Sequence, residues 1–199
     1  AGECAVHLYG GRQTTTSPGM AFGFADITQG DYGFVVPTPV WAFDWEDSGV
    51  FAFALSREVA SLTYNGTDIL GFEAEAGAAK RFGDQTEAEY WAALYLRWKW
   101  FPWNEVVKTS LAVSTGLNYA AGISAYELQV SGNGEGSQLM HFFSPELTFA
   151  LPDQPDRELV LRMHHRSGIQ GDKGAPGFAL FNFADTGATF ATVGLRYRF

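Results

Sequence analysis

The sequence predicts an all-β protein, an eight-stranded antiparallel transmembrane β-barrel, and three observations lead to this fold class. The C-terminal stretch 189–199 alternates with the period of a strand, with Arg196 and Arg198 on one face and apolar residues on the other. The apolar face consists of Ala191, Val193, Leu195, Tyr197 and Phe199. No run of about 18 apolar residues occurs, which excludes a transmembrane helix. The 23 glycines and 16% aromatic residues suit short strands between aromatic girdles.

Net charge and cysteine content limit the classes of partner and cofactor that the chain could bind. The formal net charge of -9 argues against nucleic acid, because phosphate contacts require clustered Lys and Arg. The single Cys4 forms neither an internal disulfide nor a metal site, and no cofactor is expected. His7 and His141 lack metal-ligand spacing, and we interpret both as structural. The first three residues are compatible with the mature terminus of an exported protein after signal-peptide cleavage.

The whole chain, 1–199, is predicted to be one barrel domain. The segment 15–49 is predicted to be a long surface loop, because Pro37 and Pro39 do not fit inside a central strand. Asn65-Gly66 predicts a tight hairpin turn. The eight predicted strands are 6–14, 51–62, 68–81, 88–100, 108–119, 138–151, 157–168 and 189–199.

Connection lengths predict how the barrel is oriented. Short turns alternate with longer loops, and bacterial outer-membrane barrels have short periplasmic turns and longer outer loops. Both termini are therefore expected in the periplasm. Tyr90 at one end of the fourth strand, and Trp98 and Trp100 at the other, are predicted to mark the two membrane interfaces.

Charged residues on the inward faces of the strands are predicted to form an internal network of ion pairs. Paired charges cost far less than lone ones in a narrow lumen, and an eight-stranded lumen is filled by side chains. We therefore expect no channel. The predicted members are Glu58, Glu73, Glu75, Glu146, Arg97, Lys99, Arg162, Arg166, Arg196 and Arg198.

The strand 157–168 carries polar residues on its predicted lipid face. Leu159, Leu161 and Met163 point outward, and the same parity brings out His165 and Ser167. Side chains two positions apart on a strand are about 6 to 7 Å apart, near enough for a Ser-His hydrogen bond. In such a pair the imidazole takes the serine proton as the hydroxyl attacks a carbonyl carbon. The alternative is that both residues simply lie at the headgroup level.

The motif Met163-His164-His165-Arg166-Ser167-Gly168, on the penultimate strand of a barrel that ends in Leu195-Arg196-Tyr197-Arg198-Phe199, resembles the PagL-like outer-membrane lipid A 3-O-deacylases. Members of that family are eight-stranded barrels with a His-x-Ser-Asn motif and an acidic third residue, and they remove an acyl chain from lipid A in the outer leaflet. The resemblance implies that Ser167 is the nucleophile and His165 the general base. It implies lipid A, or lipopolysaccharide, and outer-membrane lipids as partners.

The chain departs from the family pattern at two positions. Gly168 follows the serine where the family has Asn, so the Gly168 backbone amide is expected to substitute as oxyanion donor. Thr189 occupies the place expected for the acid, and Asp185, with Asp172 as a weaker candidate, is the nearest carboxylate. These departures favour an alternative, a catalytically inactive barrel that acts as a structural protein or binds a partner through its loops. A homodimer is left open.

Overall fold

A computed structural model describes residues 3–24, 33–131, 134–168, 179–184 and 186–199. This part of the chain forms antiparallel strands with two short α-helices, α1 (Pro18–Phe22) and α2 (Ala125–Val130), and two 3-10 turns, Val40–Ala42 and Ala179–Phe181. The strands are β1 (Cys4–Thr14), β2 (Trp45–Tyr64), β3 (Thr67–Gly83), β4 (Ala88–Trp98), β5 (Lys108–Ala120), β6 (Leu139–Phe143), β7 (Glu146–Leu151), β8 (Gln154–Ser167) and β9 (Thr186–Arg198).

The strands close into a ring. Sequential neighbours pair from β1 to β5, and β9 pairs with both β8 and β1. The strands β6 and β7 each pair with β5 and β8, so they share one position and leave eight positions in the ring. The predicted eight-stranded antiparallel barrel is confirmed.

The break between β6 and β7 corrects the predicted single strand 138–151. Ser144 and Pro145 interrupt it, because proline has no backbone N–H for the sheet. The Pro145 carbonyl still accepts a hydrogen bond from the Met163 amide at 3.1 Å, which keeps the two half-strands beside β8.

The predicted loop 15–49 is also corrected. Strand β2 begins at Trp45, which pairs with Thr14, so residues 45–49 belong to the sheet. The rest of the segment contains α1 and a 3-10 turn. Proline at the start of α1 and Ser17 as its N-cap explain why a short helix forms there. Farther along β2, a bulge between Glu58 and Ala60 shifts the register and ends the simple alternation.

The two faces of the sheet differ as the sequence predicts. On β9, Leu195 is 68% exposed, whereas Arg196 beside it is 1% exposed. Large apolar side chains cover the outward face on every side of the ring, and their exposed members include Leu8, Phe53, Phe72, Leu94, Leu117, Leu159 and Val193. Within the described residues, no helix is long and apolar enough to cross a membrane.

The lumen near the chain termini contains the predicted ion-pair network. Arg162 donates to Glu146 at 2.8 Å and to Glu75 at 3.0 Å, and Arg97 donates to Glu73 at 2.9 Å. The termini lie at this end with the short β2–β3 and β7–β8 turns, so we name it the turn end. Other members of the network are Lys99 with Glu58, Arg196 with Glu146, and Arg198 with Glu73 and Glu158.

The opposite end of the lumen, the loop end, has a second network. Arg81 on β3 binds Glu89 on β4 and donates to Glu127 of helix α2 at 3.1 Å, so α2 covers this end of the lumen. Arg166 lies 3.5 Å from Glu127, not beside the four glutamates named in the sequence prediction. A layer of buried aromatic side chains separates the two networks and contains Tyr9, Trp91, Phe142 and Phe190.

Candidate active site on the outward face of the barrel

Strand β8 places His165 and Ser167 on the outward face near the loop end. Leu159 and Leu161 on the same face are 44% and 39% exposed, and His165 and Ser167 are half-buried. The alternate residues of the same strand point into the lumen and are buried, namely Val160, Arg162, His164 and Arg166. Met163 departs from the expectation, because it is only 3% exposed despite its outward parity. The predicted pairing of an imidazole and a hydroxyl on one face is therefore present in the fold.

Thr189 holds the His165 ring. The two residues are direct partners across β8 and β9, and His165 Nδ1 lies 2.7 Å from Thr189 Oγ1. If Nδ1 carries the proton and donates it to the hydroxyl, then Nε2 has an unprotonated lone pair. That tautomer is the one a general base needs. Thr189 thus makes the contact that the family pattern reserves for an acid.

Ser167 lies two residues from His165 on the same face of β8. In the part of the chain that the structure describes, no hydrogen bond engages its side chain, and none joins it to His165. The register shifts between His165 and Ser167, since these residues pair with Thr189 and Thr186 respectively. This bulge on β9 re-aims the end of β8, as bulges beside functional sites often do. Serine-imidazole contacts in unliganded sites are often long and tighten with substrate.

His141 on β6 is a residue whose role the sequence analysis missed. It is the direct cross-strand partner of Ser167, so the two Cβ atoms are expected about 4.5 to 5.5 Å apart. Its Nε2 lies 2.9 Å from Thr115 Oγ1 on β5. The sequence interpretation treated His141 as structural, but the alternating burial of β6 gives it the same outward direction as Phe143.

We call these five residues the outward polar cluster: Thr115, His141, His165, Ser167 and Thr189. Four neighbouring strands, β5, β6, β8 and β9, contribute to it. Apolar side chains border it, among them Leu117, Leu161 and Val193, which are 45%, 39% and 54% exposed. The cluster contains no carboxylate, and no ion pair joins His165 or His141 to a described acid. It is a neutral polar site in an apolar surface.

Asp185 and Asp172 lie outside the described residues, so both stay predictions. Gly168 is buried and directly follows Ser167, which leaves its predicted role as backbone oxyanion donor an expectation. No group of three or more His, Cys, Asp and Glu in the described ranges could hold a metal ion.

The barrel has a counterpart among solved structures, the crystal structure of the outer membrane enzyme PagL. The similarity covers 98% of this chain and 99% of that one, with a TM-score of 0.59 and 11% sequence identity. The fold is similar to that of PagL. No family model and no curated protein matches the sequence. At this identity the likeness concerns the fold, so any activity must be argued from the outward polar cluster itself.

Proposed function

We propose that this protein is an outer-membrane serine esterase that hydrolyses an ester-linked acyl chain of lipid A in the outer leaflet. One observation carries the proposal: His165, hydrogen-bonded to Thr189, lies beside Ser167 on the outward face of a barrel. An enzyme for water-soluble esters has no need of a site on that face. A lipid substrate, in contrast, reaches it by lateral diffusion in the membrane. The similarity in fold to the outer membrane enzyme PagL supports this location.

The outward surface supports a membrane position. Its exposed apolar band runs around the ring, and exposed aromatic residues lie at both ends of the strands. Tyr90 and Tyr119 are 55% and 45% exposed toward the loop end. Trp98, Trp100 and Trp103 are 41%, 50% and 50% exposed at the turn end. These two groups of aromatic residues support a membrane position in which Ser167 lies near the outer interface.

The chemistry follows from the positions of Ser167 and His165. Ser167 Oγ attacks the ester carbonyl carbon while His165 Nε2 accepts the hydroxyl proton. The tetrahedral intermediate collapses, and the leaving alkoxide on lipid A takes that proton. Water then attacks the acyl-enzyme with His165 again acting as the base, which releases the fatty acid and restores the serine. Each proton that His165 takes is returned, so the cycle balances.

Thr189 acts as a positioning residue in this scheme. Its hydroxyl holds the His165 ring in one orientation and favours the tautomer with a free Nε2. A hydroxyl stabilises the imidazolium less than a carboxylate does, because it has no negative charge. We therefore expect slow turnover.

His141 supplies an oxyanion donor in the same scheme. If Thr115 donates its hydroxyl proton to His141 Nε2, then His141 Nδ1 carries a proton that it can donate. His141 is the direct cross-strand partner of Ser167, next to the position where the oxyanion forms. Together with the Gly168 amide, it would replace the Asn that the family motif places after the serine.

The test is mass spectrometry of lipid A from cells that express the protein, its Ser167→Ala variant or its Ser61→Ala variant. Ser61 is an exposed serine at the turn end of β2 and serves as the matched control. We expect the intact protein and Ser61→Ala to remove one acyl chain, and Ser167→Ala to leave lipid A unchanged. If cells that express Ser167→Ala still lose the acyl chain from lipid A, Ser167 is not the nucleophile.

A catalytically inactive barrel is the second candidate. The observation that favours it is that Thr189 stands in the acid position and that none of the described carboxylates bonds to His165. In that case the three expressed proteins would give identical, unmodified lipid A. The barrel would then serve as a structural or partner-binding protein.

A further inference from the structure

The connection between β1 and β2 has two described arms that pair with each other. Its described arms are 15–24 and 33–44, and backbone hydrogen bonds join them. The Thr15 amide donates to the Asp44 carbonyl at 2.9 Å, and the Val35 amide donates to the Gly23 carbonyl at 3.0 Å. Phe24 and Phe34 form a β-bridge, and their rings are 6.1 Å apart. We call this unit the β1–β2 hairpin.

Gly23 is essential to the shape of the β1–β2 hairpin. It caps α1 in the left-handed conformation, with φ of 78°, where a side chain is strained. A Cβ at this position would lie 2.8 Å from the Val35 carbonyl oxygen and 2.9 Å from the Pro37 ring. The close approach of the second arm thus fixes which of its side chains face away from α1.

Apart from Asp44 at the end of the second arm, the described arms of the β1–β2 hairpin contain no charged residue, and they display large apolar side chains. Neither 15–24 nor 33–43 contains a charged residue, although 18% of the chain is charged. Phe34 and Val36 are each 89% exposed and Trp41 is 84% exposed, more than Leu195 on the barrel wall at 68%. Contiguous apolar surface of this kind in a native protein marks a contact with lipid or with another molecule.

The position of the hairpin favours lipid. Trp45, at the start of β2, shares the outward parity of Phe51, and its ring lies 5.4 Å from that of Phe43. Aromatic side chains thus continue from the outward face of β2 into the second arm. Between Trp45 and Phe51, Asp47 forms an exposed ion pair with Arg12 at 2.9 Å. An exposed ion pair is suited to the headgroup level of a membrane.

A neighbouring loop-end connection has the opposite character. The segment 84–87 between β3 and β4 contains Asp84 and Glu87 and has no large apolar residue. A loop that extends into water is expected to have that composition. The apolar exposure of the β1–β2 hairpin is therefore not shared by the β3–β4 connection at the same end of the barrel.

We propose that the β1–β2 hairpin is a lipid-contacting element that inserts Phe34, Val36 and Trp41 at the headgroup–acyl boundary of the outer leaflet. Large aromatic and aliphatic side chains of this kind partition to this depth. Strand β1 neighbours β9, which carries Thr189, so the hairpin borders the outward polar cluster on one side. The proposal rests on the membrane location in the proposed function and does not require Ser167 to be catalytic.

Site-specific fluorescence tests the proposal in the full chain. In a Cys4→Ser background, Val36→Cys and Trp41→Cys variants are each labelled with an environment-sensitive fluorophore and reconstituted into phospholipid vesicles with or without spin-labelled lipid. Leu195→Cys on the barrel wall is the positive control, and Asp84→Cys at the same rim is the aqueous control. We expect blue-shifted emission and lipid-dependent quenching at 36 and 41, as at 195, and neither effect at 84.

The outcomes separate the hairpin proposal from the proposed function. Quenching at 195 with none at 36 and 41 would overturn lipid contact by the hairpin and leave the membrane barrel intact. No quenching at 195 would reject the membrane location itself, and the hairpin proposal with it. Protection at 36 and 41 in lipid-free detergent that rises with protein concentration would show that a second copy covers the hairpin, which would also overturn the proposal.

Discussion

His164 and His165 are neighbours in sequence, but one lies in the lumen and the other on the outward face. His164 is fully buried, and both of its ring nitrogens are bonded, Nδ1 to the Tyr9 hydroxyl and Nε2 to Glu89, each at 3.0 Å. His165 is half-buried and bonded through Nδ1 to Thr189. No described residue bonds its Nε2. In the lumen both ring nitrogens of His164 are bonded, whereas on the outward face Nε2 of His165 stays available for chemistry.

The same contrast holds for the regions around the two histidines. The lumen contains five arginines that are at most 2% exposed, and carboxylates pair with them. The outward polar cluster has hydroxyls and imidazoles and no charge. Buried charges are costly unless opposite charges pair with them, so the side chains of the lumen are committed to one another. Neutral polar groups at an apolar surface cost less to leave partly unpaired, so that surface can hold a reactive hydroxyl.

The largest effect that separates the two regions is expected from His165→Ala. Removal of the base should lower the deacylation rate by about 10³-fold or more, because a serine without its base is a weak nucleophile. The free energy of unfolding should fall by about 1 kcal/mol, since His165 makes one side-chain hydrogen bond at a half-buried position. Rates on purified lipid A and urea unfolding in lipid vesicles measure the two quantities. Equal deacylation by the variant would remove His165 from the mechanism.

Arg162→Ala should instead affect the free energy of unfolding more than the deacylation rate. It would leave Glu75 and Glu146 without their shared arginine in the lumen, and breaking a buried pair in this way costs about 3 to 5 kcal/mol of unfolding free energy. The matched control is Arg157→Ala, because Arg157 on the same strand is mostly exposed and should contribute less than about 1 kcal/mol. Urea unfolding of both variants checks the difference. Similar values for the two would show that the lumen network does not stabilise the barrel.

A smaller loss of stability is expected from His164→Ala. The change removes a fully buried ring from the aromatic layer and leaves the Tyr9 hydroxyl and one bond of Glu89 unsatisfied, at a cost of about 2 to 3 kcal/mol. Glu89 keeps Arg81 as a partner, so the penalty should be below that of Arg162→Ala. In contrast to His165→Ala, the activity per folded molecule should be retained. Loss of activity in the folded His164 variant would mean that the lumen takes part in the reaction.

Side-chain parity made most of the barrel predictable from the sequence. The period of two in β4 and β9 identified the outward residues, and the inward glutamates and arginines gave the turn-end network before any coordinates. The same rule placed His165 beside Ser167. It also predicted an outward Met163, which is buried, because parity gives the direction of a side chain and not what its neighbours cover.

Contacts between distant segments were not predictable in this way. The pairing of His141 with Ser167 depends on the register of β6 against β8, which the break at Ser144 and Pro145 sets. Arg166 meets Glu127 because helix α2 folds over the lumen, and no local pattern indicates where a loop helix docks. Thr189 was expected where an acid should be, but its bond to His165 Nδ1 emerged only from the pairing of β8 with β9.

The smallest effect is expected from substitutions of Thr189. They test whether the hydrogen bond to Thr189 sets the orientation of His165. Thr189→Val keeps the shape and removes the hydroxyl, so the deacylation rate should fall by about 3- to 10-fold, the equivalent of one neutral hydrogen bond. Thr189→Asp restores a carboxylate beside Nδ1 and should raise the rate above that of the natural protein, since a carboxylate stabilises the imidazolium. Rates for both variants across pH measure the effect. If Thr189→Val were as active as the natural protein, the hydrogen bond to Thr189 would not position His165 for catalysis. The unbonded Nε2 of His165 would then result only from the pairing of β8 with β9.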